Sequence, residues 1–148
     1  MRSGHIRPVC TVCQYIVFFD PKVAAISFIT QDDRVLLVKR GMNPGKGLWG
    51  LAGGFVEVGE DPRATAQREV LEETGLEVEI VTLLDLFFNP ADGSAITLAF
   101  RAQVMGGDLR AGDDAEEVGW FASDNLPPLV FTSTKTLVGR WVDGALSS

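Results

Sequence analysis

Asp61 and Pro62 on one side, and Gly75 on the other, bracket the segment PRATAQREVLEET with opposite signals: an N-cap, a proline at the first helical position, and a C-cap glycine. A helix from about Pro62 to Thr74 follows. Within it Glu69, Glu72 and Glu73 stand at i, i+3 and i+4, which stacks three carboxylates on one face over an arc of about 100°. Their mutual repulsion costs the isolated helix on the order of 0.2–0.5 kcal/mol for each neighbouring like-charge pair. Such a face calls for a cation. Hard divalent ions, Mg²⁺ or Mn²⁺, prefer oxygen ligands and share them with water and substrate phosphates. Ala64, Ala66, Val70 and Leu71 lie mainly away from the acids and are expected to dock on a sheet, leaving the carboxylates outward.

The sheet is written around that helix. VAAISFIT (23–30) and RVLLVK (34–39) are β-branched and apolar runs separated by Gln31, Asp32 and Asp33, the pattern of a hairpin. GMNPGKGLWGLAGG reads as a loop. EVEIVTLLDLFF (77–88), AITLAFRAQV (95–104) and Val118 to Phe121 supply further strands, with GGDLRAGDDAEE as a polar loop before the last. Ser133 is expected to cap a final helix through Leu146, with Leu137, Val138, Trp141 and Val142 as its buried stripe. Strands and helices in mixed order predict an α/β fold, a sheet covered by helices on its faces. At 148 residues the chain is the size of one ordinary domain.

Charge narrows the function classes. The formal net charge of −7 argues against general affinity for nucleic acid or anionic membrane. No run of 18 apolar residues and no leader pattern occurs, so a soluble cytoplasmic protein is expected. Residues 57 to 79 hold eight acids against Arg63 and Arg68, whereas residues 34 to 46 carry Arg34, Lys39, Arg40 and Lys46 and no acid. A negative site beside a basic strand and loop suits a metal-bridged anionic ligand.

The segment GFVEVGEDPRATAQREVLEETGL (54–76) resembles the Nudix box. Every specified position is met: Gly54, Glu60, Arg68, Glu69, Val70, Glu72, Glu73, Gly75 and Leu76. The resemblance implies an α/β/α sandwich with a central mixed sheet, spanning residues 23–148 after an extension over 1–22. It also implies hydrolysis of a nucleoside diphosphate linked to another group, by attack of water on one phosphorus. Divalent ions bridging the non-bridging oxygens would supply much of the stabilisation. By the same resemblance Glu69, Glu72 and Glu73 are metal ligands together with the carbonyl of Gly53, and Glu60 and Arg68 hold them in orientation. The general base is a box glutamate in some relatives and a distant loop glutamate in others. Here the choices are Glu73 and the loop residues Asp114, Glu116 and Glu117. Many relatives have Glu-Ala six residues before a Trp-Phe pair, where this chain has Asp114-Ala115 before Trp120-Phe121.

A nucleotide base needs an aromatic or apolar platform, for which Trp49, Phe87, Phe88 and Phe131 are candidates. Lys39, Arg40 and Lys46 are candidate contacts to phosphate or a terminal ribose. Residues 7 to 24, with GMNPGKGLWGL and LPPLVF, are most similar to the ADP-ribose and NADH pyrophosphatase-like group. The motif Ser-Gln-Pro-Trp-Pro-Phe-Pro of NADH pyrophosphatases is absent, which favours ADP-ribose or a similar sugar nucleotide as substrate. The alternatives are a house-cleaning hydrolase of nucleoside triphosphates and a non-catalytic nucleotide-sensing module. A homodimer is common in that group. Cys10 and Cys13 form a single CxxC, similar to the second half of a zinc ribbon whose first pair would lie upstream of Met1. Gln14 stands where that ribbon has glycine. His5 is the only histidine near them, and two reduced, metal-free cysteines are the expectation.

Overall fold

The computed structural model describes residues 6–92 and 95–147. His5 lies outside the described residues. Strands β1 (Val23–Gln31) and β2 (Arg34–Arg40) form the expected hairpin. Its turn is Asp32-Asp33, with φ of 53° and 58°, the left-handed pair that a two-residue hairpin turn demands and that aspartate tolerates. The Gly-rich segment is not wholly loop. It contains two short strands, β3 (Trp49–Gly50) and β4 (Ala52–Phe55), and only tertiary pairing makes them strands. Helix α1 (Pro62–Thr74) follows, then β5 (Leu76–Phe88), β6 (Ile96–Gly107), β7 (Ala115–Ala122) and α2 (Thr132–Val142).

The sheet runs β3-β2-β1-β6-β5, with β4 also pairing β1 and β7 pairing β2. The β1–β6 pair is parallel and the others are antiparallel, so the sheet is mixed. Alternation along β2 divides the core. Val35 and Leu37 pack with Leu137, Val138 and Trp141 of α2, while Leu36 and Val38 pack with Val70 of α1. The two helices therefore cover opposite faces, as an α/β/α sandwich requires.

Helix α1 has the expected ends. The Asp61 carboxylate accepts from Arg63 N–H (2.9 Å), and Gly75 closes the helix at φ 76°. Its buried face differs from the expected one. Thr65, Ala66, Val70 and Thr74 are buried, whereas Ala64 and Leu71 are exposed. The inward face is the one that also carries Glu69 and Glu73, so two of the three glutamates turn toward the sheet and only Glu72 is open to solvent. Helix α2 starts at Thr132, one residue before the expected cap. Phe131 precedes it at φ 66° with no side-chain cap, and the helix ends at Val142, which is itself half-exposed.

Candidate functional site

Two glycines let α1 come this close. A Cβ on Gly53 would lie 2.4 Å from the Ala25 carbonyl oxygen, and one on Gly54 would lie 2.4 Å from the Glu69 carboxylate. With hydrogen in those places, β4 nests between β1 and the glutamate side chains. Gly53 N–H donates to Glu73 Oε1 at 2.8 Å, so a backbone donor turned away from β1 ends on a carboxylate of the helix.

Arg68 organises the rest. Its Nε and Nη2 donate to the two oxygens of Glu60 (2.9 and 3.1 Å), and its Nη1 donates to Glu69 (3.0 Å) and Glu72 (3.3 Å). Thr65 Oγ1 adds a 2.6 Å bond to Glu60. The paired fork of guanidinium and carboxylate is the geometrically demanding form of this interaction, so Glu60 fixes the plane from which Arg68 reaches the other two acids. The Arg68 guanidinium beside Glu60 holds that carboxyl down to about 2.

The inward glutamates behave in the opposite way. Burial pushes Glu73 up to about 8 against the opposing bond from Gly53, and the charges of Glu69 and Asp113 add to the rise. Burial also raises Glu69, against the pull of Arg68. Negative charge at these positions is undercompensated by the protein itself.

One member of the cluster was not foreseen. Carboxylate oxygens of Glu69, Glu72 and Asp113 lie within 4.8 Å of one another. Asp113 arrives there because its loop caps the helix: Arg110 N–H donates to the Thr74 carbonyl (2.9 Å) and Gly112 N–H to that of Glu73 (3.1 Å), satisfying acceptors that α1 leaves open. Asp113 then sits at φ 51°, a conformation aspartate accepts. Asp114 borders the site but is outside that trio, and its carbonyl accepts from Gly41 N–H (3.0 Å). Glu116 pairs with Lys39 at 3.8 Å, and Glu117 is exposed on β7. Glu73 is adjacent to the trio, on the wall of the same cavity. A donor set made only of oxygens, crowded and undercompensated, fits a hard divalent ion.

That cavity encloses about 570 Å³. Glu69, Glu73, Gly53 and Gly54 form one wall, and Arg40, Phe87, Phe88 and Phe131 form others. Arg40 lies 5.0 Å from the Phe131 ring centroid and donates to the Pro44 carbonyl, yet makes no ion pair among the described residues. Of the remaining candidates, Lys46 lines a neighbouring hollow with Met42 and Asp113, and Lys39 is engaged by Glu116. Trp49 is not a platform. It is a core residue, stacked edge-on against Phe121 at 4.8 Å, because β3 turns its ring toward α2.

A sandwich with an acidic helix laid against a Gly-Gly strand is the architecture of the Nudix hydrolases. A Nudix hydrolase from Nitrosomonas europaea superimposes with a TM-score of 0.86 at 31% identity, over 93% of this chain and 78% of that one. The NUDIX domain model matches residues 20–141, and the chain belongs to the Nudix family. An ADP-ribose pyrophosphatase of Methanocaldococcus jannaschii is 40% identical over 136 residues, 88% of this chain and 80% of that protein. An NAD-capped RNA hydrolase of Vibrio vulnificus is 40% identical over 91 residues, 60% of this chain but only 34% of that longer protein. The chain is a Nudix hydrolase, an enzyme of pyrophosphate bonds. No helix among the described residues is long and apolar enough to cross a membrane.

Proposed function

We propose that this chain hydrolyses the pyrophosphate of ADP-ribose or a similar nucleoside diphosphate sugar, using Mg²⁺ or Mn²⁺ held by Glu69, Glu72 and Asp113 with Glu73 beside them. The observation that carries the reading is the trio of carboxylates, two of which, Glu69 and Asp113, line a cavity that is also lined by Arg40, a cation with no ion-pair partner among the described residues. Acids on one wall and a cation on another suit a diphosphate bridged to metal, with part of its charge answered by protein. Bound there, the ion would neutralise the non-bridging oxygens and acidify a coordinated water.

The chain's own residues divide the remaining work. Arg68 holds Glu69 and Glu72 in place, with Glu60 and Thr65 fixing its plane. Glu73, on the cavity wall and aimed by the Gly53 N–H, is the group we assign to proton removal from the attacking water. Asp114 lies further from the trio. Arg40, whose guanidinium lies over the Phe131 ring and whose Nε is taken by the Pro44 carbonyl, offers its remaining N–H donors to the distal phosphate, and Phe87 and Phe88 supply apolar surface for the base. The relative named as an ADP-ribose pyrophosphatase supports the choice of substrate.

Incubation of the protein with ADP-ribose, NADH, sugar nucleotides and nucleoside triphosphates, each with Mg²⁺ or Mn²⁺, tests this directly. AMP and ribose 5-phosphate from ADP-ribose is the expected result. Pyrophosphate released from a triphosphate would replace the substrate assignment, and stabilisation by nucleotide without any product would overturn catalysis. A fully active Glu73→Gln variant would remove Glu73 from its role.

A further inference from the structure

β2 and β7 run antiparallel to the point where both leave the sheet, and there they fall one residue out of step. Lys39 faces Glu117 but Arg40 faces Ala115, so Glu116 is an extra residue that bulges from β7. Before the bulge stands the turn Gly112 to Ala115, closed by Ala115 N–H to the Gly112 carbonyl at 3.0 Å. Gly41, the first residue past β2, donates its N–H to the Asp114 carbonyl of that turn at 3.0 Å. The other central residue of the turn is Asp113, whose carboxylate joins those of Glu69 and Glu72. The neighbour of Arg40 is thus one hydrogen bond away from the turn that carries an acid of the trio.

Gly41 is a glycine for want of space. Its φ is not left-handed, so the backbone conformation does not demand glycine. A Cβ there would lie 2.8 Å from the Asp114 carbonyl oxygen, whereas ordinary contact begins at 3.4 Å. The difference of about 0.6 Å is large for a divalent site, which holds its ligand distances within about 0.2 Å and its constellation within about 0.5 Å.

Which side would yield is decided by how each is held. Arg40 faces Ala115 in the ladder, its N–H donates to the Leu48 carbonyl at 2.9 Å, and its carbonyl accepts from Gly47 N–H at 2.8 Å, so both of its backbone groups are engaged. The far end of the turn is pressed against α1. Gly112 N–H donates to the Glu73 carbonyl, and a Cβ on Gly112 would lie 2.4 Å from the Glu72 carbonyl oxygen. Between these anchors Asp113 and Asp114 are left to move. The Lys39–Glu116 ion pair at 3.8 Å, with Glu116 half exposed, is too solvent-screened to hold them.

We propose, resting on the metal-binding reading of Asp113, that Gly41 is a positioning residue: its bare Cα lets the end of β2 press against Asp114 and so sets where Asp113 meets the ion. The same contact makes Arg40 and Asp113 one mechanical unit. The cation that answers the distal phosphate and an acid that holds the metal then keep a fixed separation.

Calorimetric Mn²⁺ titration of the native chain, Gly41→Ala, Asp113→Asn and the double variant tests this, at a temperature where circular dichroism shows each fully folded. Gly41→Ala is expected to bind at least about fivefold more weakly than the native chain. In the Asp113→Asn background the same change is expected to weaken binding by less than about twofold, because the residue it acts through has already lost its charge. A general loosening of the fold would act equally in both backgrounds, so additive losses overturn the proposal, as does native affinity in Gly41→Ala. Native affinity in Asp113→Asn overturns the metal reading itself, and the role of Gly41 with it. Hydrogen exchange on the native chain decides the matter if Gly41→Ala does not fold. Saturating Mg²⁺ is expected to slow exchange of the Gly41 amide at least about threefold, since the ion steadies the turn that holds its acceptor, and an unchanged rate overturns the link.

Discussion

Replacing Gly53 and Gly54 one at a time by alanine separates the fold from the site at adjacent positions. On Gly53 the new Cβ meets backbone: the Ala25 carbonyl oxygen at 2.4 Å and Ile26 Cα at 2.9 Å. Those atoms belong to the β1–β4 ladder, which has only four residue pairs, so relief requires β4 to move off β1. Overpacking of about 1–3 kcal/mol and one or two weakened ladder bonds at about 1 kcal/mol each sum to roughly 3–4 kcal/mol. For a chain of this length that lowers the melting temperature by about 10 °C. On Gly54 the Cβ meets the end of a flexible side chain, the Glu69 carboxylate. Glu69 swings away, losing its 3.0 Å bond from Arg68, and about 0.5–1 kcal/mol returns because alanine has fewer unfolded conformations. Gly54→Ala therefore melts within about 2 °C of the native protein, yet loses at least about tenfold in Mn²⁺ affinity because a carboxylate of the trio is displaced. Thermal melts and calorimetric Mn²⁺ titration of both variants read the two outcomes separately. Native metal affinity in Gly54→Ala, or a native melting temperature in Gly53→Ala, would refute the reasoning.

Three further outcomes follow from the site. Glu60 is held at about 2, below the ordinary 4.5, so its contribution to stability is present above pH 4.5 and disappears as pH falls from there toward 2. Glu60→Gln should flatten the denaturation-midpoint curve in that window, and an unchanged slope would count against the Arg68 pairing. Glu73, held up to about 8 by burial, keeps its proton at neutral pH in the metal-free protein. Metal uptake near pH 7 should then release about one proton, and this release should vanish in Glu73→Gln; calorimetry in buffers of different ionisation enthalpy measures it. Asp113→Asn should weaken Mn²⁺ binding at least about tenfold, and Asp114→Asn by no more than about threefold. The reverse order would return the loop carboxylate to Asp114.

What could be read from the residues was local. Both ends of α1 were legible because Asp61 and Gly75 act on their own immediate backbone, and the Asp32-Asp33 turn for the same reason. β3 and β4 are hidden because WG and AGGF are short and glycine-rich, with one strand-forming residue each; Gly53 and Gly54 are there for what passes close by, which only the folded neighbours reveal. The docking face of α1 was misjudged on hydrophobicity: Leu71 stays out and Glu73 goes in, since the helix is seated by small residues and by the Gly53 N–H. Asp113 and Asp114 are chemically equivalent in the chain. The capping of α1 by Arg110 and Gly112 decides between them, a contact between segments about forty residues apart. Trp49 looked like a platform on composition, and the position of α2 made it core.

The bond from Gly53 to Glu73 also bears on how the chain survives in a crowded solution. β4 pairs with β1 alone among the described residues, so its outward N–H is the sort of open donor that recruits a strand from another molecule and starts a fibril. The Glu73 side chain occupies that donor and covers it. Evolution at this position is therefore answerable to two selections at once, and a lineage that abandoned hydrolysis would still have reason to keep an acid there.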